Sequence, residues 1–228
     1  MNRLYNLDYL RGLAAFGIMI YHFISWTSGK FTADTFMARL GLYGVSIFYI
    51  LSGLTLYYVY FNKMKPSMVE VKSFFKKRIF RIFPLLWLVT IIAIIISRKT
   101  PNFYDLFLNL SGLFGFIKWD TYFSTGLWSI GNELVFYAFF PFFILFTKSF
   151  KPAMTLLSIA LLVFFLYFAF FKLDPNLTIE EQWRDYINPL NQVFLFLLGF
   201  LIGYFFQKVQ MSSKLVIGIW WWCCCNAV

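Results

Sequence analysis

The sequence predicts an all-α, polytopic transmembrane helix bundle, and three observations carry that prediction. Of the 228 residues, 61% are hydrophobic, 24% aromatic and only 13% charged, more apolar surface than a soluble domain of this length can hide. Apolar runs of about twenty residues recur along the chain, the length a lipid core demands of a helix. The basic residues between those runs collect mainly on one side of the expected bundle.

The first run, at roughly residues 7–27, opens "LDYLRGLAAFGIMIYHF" and holds Asp8, Arg11 and His22, the single histidine of the chain. It does not read as a cleavable signal, because no small-residue cleavage site follows and further spans do. Those spans are expected at roughly 41–61, 79–97, 127–147, 153–171 and 189–207, with another beginning near Leu215, about seven in all. The last run, "IGIWWWCCCNAV", stops after about a dozen residues. A chain truncated or frame-shifted at its C-terminus is the expectation, and residues 1–228 read as one partial membrane domain. The stretch "YDLFLNLSGLFGFIK" (Tyr104 to Lys118) is too short to cross and contains Asp105 and Asn109. It is expected to form an interfacial or re-entrant helix.

Charge sets the orientation. If 104–118 stays on one side, thirteen of the 20 Lys and Arg residues gather on the side of the N-terminus and seven on the other. If it crosses, the split falls to about twelve against eight. The first arrangement satisfies the positive-inside rule better and puts the N-terminus in the cytoplasm, the protein being expected in the inner (cytoplasmic) membrane. The net charge of +10 is then a property of cytoplasmic loops facing membrane lipids, and no nucleic-acid partner is implied. Cys223, Cys224 and Cys225 are consecutive, a spacing suited neither to a disulfide nor to a metal, so no metal site is expected.

Arg11 and His22 are eleven residues apart. A helix turns about 1100° over that interval, roughly 20° past three full turns, and rises about 16 Å. Both side chains therefore share one face near opposite ends of the first span. Arg11 can serve as an interfacial anchor paired with Asp8, and His22 as a buried tie to another helix. Ionisable groups at membrane depth are costly, however, and usually mark a pathway or a reacting centre.

Three further stretches belong with this pair. They are "GLYGVSIFYILSG" (Gly41 to Gly53), "KKRIFRIFPLLW" (Lys76 to Trp87) and "GLWSIGNELVFYAFFP" (Gly126 to Pro141). With Arg11, ten residues and then His22, these four motifs in order resemble the acyltransferase family 3 membrane proteins. The resemblance implies an O-acyltransferase that moves an acyl group, acetyl being the expected one, onto a hydroxyl of a cell-surface glycan or a lipid-linked sugar. It implies acyl-coenzyme A as a cytoplasmic co-substrate, with no bound cofactor.

Set against physics, the implied roles are coherent. Arg11 at the inner end can hold a phosphate or carboxylate through paired charge-assisted hydrogen bonds. His22 can take the hydroxyl proton or carry the acyl group itself. Glu133, the one acid expected well inside a span and not at its end, counts about six residues from the outer end of its helix, and His22 about five from the outer end of its own. On that count Glu133 is expected to orient or charge His22, or else to bind the acceptor hydroxyl. Tyr137 falls on the same face one turn on. Trp128 fits an interfacial belt as well as it fits acceptor stacking, and Ser129 can line the site. Arg78 and Arg81 can attract anionic headgroups or, by resemblance, contact coenzyme A phosphates. The glycines at 41, 44, 53, 199 and 203 read as close-packing positions. Two other outcomes remain open at this point: a transporter or flippase using the same groups as a path, and an inactive fragment whose site lacks a wall.

Overall fold

The structure, a computed structural model, describes residues 5–29, 31, 35–65, 67–174 and 177–206. The span expected near Leu215, Cys223 to Cys225 and the charges at Arg3, Lys208 and Lys214 lie outside the described residues. The secondary structure of the described residues is helical: α1 (Tyr5–Ser28), α2 (Phe36–Tyr60), α3 (Met68–Ser97), the short α4 (Phe103–Ser111) and α5 (Phe114–Ile117), α6 (Leu127–Ser149), α7 (Lys151–Tyr167), the one-turn α8 (Trp183–Tyr186) and α9 (Pro189–Phe206). A π-helical turn, Phe168–Lys172, extends α7.

Five stretches are long and apolar enough to cross a membrane: Phe36–Tyr60, Met68–Ser97, Leu127–Ser149, Lys151–Lys172 and Trp183–Phe206. The protein is therefore a multi-pass membrane protein, although seven spans are not found among the described residues. Helix α1 has 24 residues, about 36 Å of rise, but Asp8, Arg11 and His22 dilute its apolar character. The third span begins about ten residues before its apolar run. Its first turns, "MVEVKSFFKKR", are helical because Ser67 caps the amide of Glu70 at 3.4 Å and because Phe74 and Arg78 are buried against the bundle. Hydropathy is blind to such a basic turn.

Helices α4 and α5 match the short element expected at 104–118. The nine residues of α4 rise only about 14 Å, too little to cross. Gly112, at φ 73°, ends α4 in the left-handed conformation that a Cβ disfavours. Buried Asn109 donates to the carbonyls of Asp105 (2.9 Å) and Thr121 (2.6 Å), tying the helix to the loop beyond it.

Helix α2 is the centre of the bundle, packed against α9 on one side and α1 on another. Glycines set both contacts. A Cβ on Gly53 would overlap the Phe196 carbonyl of α9, and one on Gly199 would overlap the Ile50 carbonyl of α2. Helix α9 repeats the device one turn on, where Gly203 receives the Tyr57 ring. Towards α1, a Cβ on Gly41 would come within 2.7 Å of Tyr21 and one on Gly44 within 2.7 Å of Ile18. Apolar lipid gives helices no hydrophobic reason to associate, so close backbone approach and side-chain fit must hold them. The rest of the core is largely aromatic. Phe136 stacks on Phe196 (5.3 Å), Phe74 stacks on Phe140 (5.1 Å), and all four rings are buried.

Replacing Gly53 or Gly199 with alanine is expected to destabilise the bundle by at least ~1–3 kcal/mol, since backbone and not a mobile side chain must yield. Gly12, in α1 with open space around it, should accept alanine without loss. Thermal unfolding of the detergent-solubilised variants checks the contrast.

Candidate active site

Helices α1, α2, α3 and α6 enclose a cavity of about 430 Å³. Each site residue singled out from the sequence lines it: Arg11 and His22 from α1, Arg78 and Arg81 from α3, and Trp128, Ser129, Glu133 and Tyr137 from α6. The fourth wall is one face of α2, with Val45, Phe48, Tyr49, Ser52, Thr55, Leu56 and Val59 at helical spacing. Helix α2 thus gives its glycines to its neighbours and this stripe to the cavity.

The register between helices orders the residues along the cavity. In the antiparallel α1–α2 pair, Tyr21 meets Gly41, Ile18 meets Gly44, and Arg11 donates to the Leu51 carbonyl at 3.2 Å. Helices α2 and α6 run in the same direction, with Tyr49 edge-on to Phe136 (4.8 Å) and Tyr60 edge-on to Phe140 (6.1 Å). Arg11, Arg78, Arg81 and Tyr137 consequently gather towards one end, and His22, Trp128 and Ser129 towards the other.

Glu133 lies nearer the arginine end. Its Oε1 accepts from the Tyr137 hydroxyl and from Ser52 Oγ at 3.4 Å, and Ser52 is the residue after Arg11's partner Leu51. His22 is level with about residue 40 of α2, so the two groups are separated by on the order of 15 Å along the bundle. Among the described residues Glu133 has no hydrogen bond to His22, whose ring neighbours are Tyr21 (5.2 Å) and Trp26 (5.5 Å). The expected direct contact is absent because depths counted from each helix's own end treat those ends as flush. Helix α1 extends past the level at which α6 begins, and only packing sets that stagger.

Arg78 is buried, whereas Arg81 is exposed. The Arg78 guanidinium sits within 5.2–5.6 Å of the ring centres of Tyr60, Phe74 and Tyr137 and donates to Tyr60 Oη at 2.9 Å. Its Nε has no hydrogen-bond partner. This is an aromatic cage of the kind that steadies a desolvated cation, and it separates Arg78 from a purely headgroup-facing role. Trp128 packs edge-on to Trp183 (5.5 Å), and Ser129 Oγ donates to the Gly126 carbonyl at 2.7 Å.

Sequence reasoning missed Ser52, Thr55 and Tyr60. The first two, three residues apart in an apolar helix, were legible as a polar pair on one face. Tyr60 carried no signal before the fold brought it to Arg78. Buried Asn132, which donates to Tyr49 Oη (3.3 Å) and to the Ile187 carbonyl (3.2 Å), was also missed. It ties α6 to α2 and to the turn before α9.

The arrangement is a groove with cations at one end and an imidazole at the other. The family model of the acyltransferase domain, acyltransferase family 3, matches residues 4–226. The chain belongs to that family. Among curated proteins, this acyltransferase-family chain is similar to the peptidoglycan O-acetyltransferase OatA of Listeria monocytogenes serovar 1/2a (strain ATCC BAA-679 / EGD-e). The two are 27% identical over 178 residues, 68% of this chain and 26% of that protein. The chain therefore spans about a quarter of the length of that relative. No solved structure matches.

Arg78 and Arg81 should respond differently to alanine. Arg78→Ala leaves a hollow aromatic cage and is expected to cost ~1–3 kcal/mol of stability, while exposed Arg81→Ala stays within about 0.5 kcal/mol of the parent. Paired melting curves of the two variants check this.

Proposed function

We propose that this chain is a membrane O-acyltransferase that moves an acyl group, acetyl foremost, from acyl-coenzyme A to a hydroxyl of a cell-surface glycan. The observation that carries the reading is the single cavity lined by both Arg11 and His22, with Arg78 and Arg81 beside Arg11. Arg78, buried without an ion pair among the described residues, and half-buried Arg11 and exposed Arg81 beside it favour an anionic ligand, because a buried charge without a counter-ion is costly. A phosphate-bearing donor supplies that charge. Its thioester, on a long thin arm, then reaches towards His22 along a groove of the right length.

In the transfer, the acceptor hydroxyl attacks the thioester carbonyl. The new C–O bond forms as the C–S bond breaks, and His22 takes the hydroxyl proton and returns it to the departing thiolate. A neutral imidazole suits this because its ordinary pKa of about 6.5 keeps it largely unprotonated at cellular pH. Arg11 and Arg78 hold the donor's anionic end and Arg81 adds attraction at the entrance. Trp128 and Ser129, at the His22 end, face the acceptor.

We place the arginine end towards the cytoplasm, with the N-terminus inside and the protein in the cytoplasmic membrane, on the basic excess of the loops at that end. Glycan acceptors, peptidoglycan among them, then meet the His22 end from outside. The glycan assignment is supported by the name of the Listeria relative.

Mass analysis of surface glycans tests the whole reading. Cells expressing the chain should gain an ester-sized mass increment, reduced at least about 100-fold by His22→Ala. Expression without any increment, or an increment indifferent to His22→Ala, would overturn it.

A further inference from the structure

The donor's arm raises a problem that the arginines do not solve. A pantetheine arm carries two amides, and each N–H and C=O taken out of water into an apolar groove needs a partner. Most of the α2 wall is apolar: Val45, Phe48, Leu56 and Val59. The polar exceptions, Ser52 with Glu133 and Tyr137 across from it, are concentrated at one level, that of Arg11.

At that level Glu133 has one oxygen, Oε1, engaged by both Ser52 and Tyr137. No hydrogen bond to its Oε2 is found among the described residues, and the side chain is half-buried on the cavity wall. One turn along the same face of α2, Thr55 also lines the cavity, but its hydroxyl is buried away from that surface and has no hydrogen-bond partner. A serine or threonine in an apolar helix ordinarily returns its hydroxyl to the carbonyl one turn back, as Ser46 does to Leu42 at 3.2 Å. Thr55 does not. The cavity thus presents a fixed acceptor at Glu133, which is what an amide N–H requires.

We propose that Ser52 and Tyr137 are positioning residues that hold Glu133 so that its free oxygen accepts an amide N–H of the donor's arm. The inference rests on the thioester-donor reading given above, and it assigns Glu133 to the donor and not to His22. The Tyr137 ring, lying over the Arg78 guanidinium, ties the amide station to the anion-binding end. The two ends of one ligand are thereby registered by a single side chain.

Equilibrium binding to the full chain in nanodiscs tests this without requiring turnover. The probes are coenzyme A and adenosine 3′,5′-bisphosphate, which lacks the arm. Ser52→Ala and Tyr137→Phe should each weaken coenzyme A about tenfold, the worth of one hydrogen bond to a charged group. Neither should alter adenosine bisphosphate binding, since Tyr137→Phe keeps the ring beside Arg78. Ser52→Thr should restore the coenzyme A affinity. Coenzyme A binding that is unchanged in both variants, or lost equally with both probes, overturns the inference and leaves the donor reading standing. A parent protein that fails to bind coenzyme A overturns the donor reading, and this inference with it.

Discussion

The bundle depends on the direct backbone contact between α2 and α9, and the face that α2 turns to the site follows from it. Gly53 and Gly199 each lie against a carbonyl of the other helix, so no side chain separates the two at their crossing. That contact fixes the rotation of α2. With Gly53 turned to α9 and Gly41 and Gly44 turned to α1, the remaining face of α2 must look into the space bounded by α3 and α6. Ser52 and Thr55 are on that face because of where the glycines are. In a membrane such packing is the available cohesive force, since lipid is as apolar as the side chains it would replace.

Aromatic side chains perform a second task beside filling the core. Phe74 is packed against Phe140, and it also forms one wall of the cage around Arg78. Tyr137 gives its hydroxyl to Glu133 and its ring face to the same cation. A buried guanidinium without a paired carboxylate is normally expensive. Quadrupole attraction from three rings and one phenol hydrogen bond reduce that cost while leaving Nε uncommitted. The site therefore holds its charge ready without first neutralising it.

The order of groups along the cavity has a chemical consequence. The arginines and the imidazole are near opposite ends, so under the proposed acyl transfer a small anion held by arginine alone could not bring a reacting carbon to His22. A long ligand can do both, and Ser52 and Glu133, level with Arg11, line its path. Under the same proposal distance acts as selectivity: ligands that satisfy only one end forgo the positioning that acyl transfer needs.

Much of this was legible before any fold was known, and the division has a physical basis. The helical period is local, so composition and spacing alone located the five spans found among the described residues and the 104–118 element, and put Arg11 and His22 on one face. Small residues at repeated positions likewise announced close contacts, and the motifs announced the family. What the chain could not disclose is the stagger between helices. Glu133 and His22 counted to equal depth from their own helix ends, yet packing places Glu133 beside Ser52 and level with Arg11. Tyr60 gave no sign of its place at Arg78 for the same reason. Rise and rotation within a helix follow from backbone hydrogen bonds between near neighbours. The sliding of one helix past another is set by which side chains meet across the interface, and only the tertiary structure decides that.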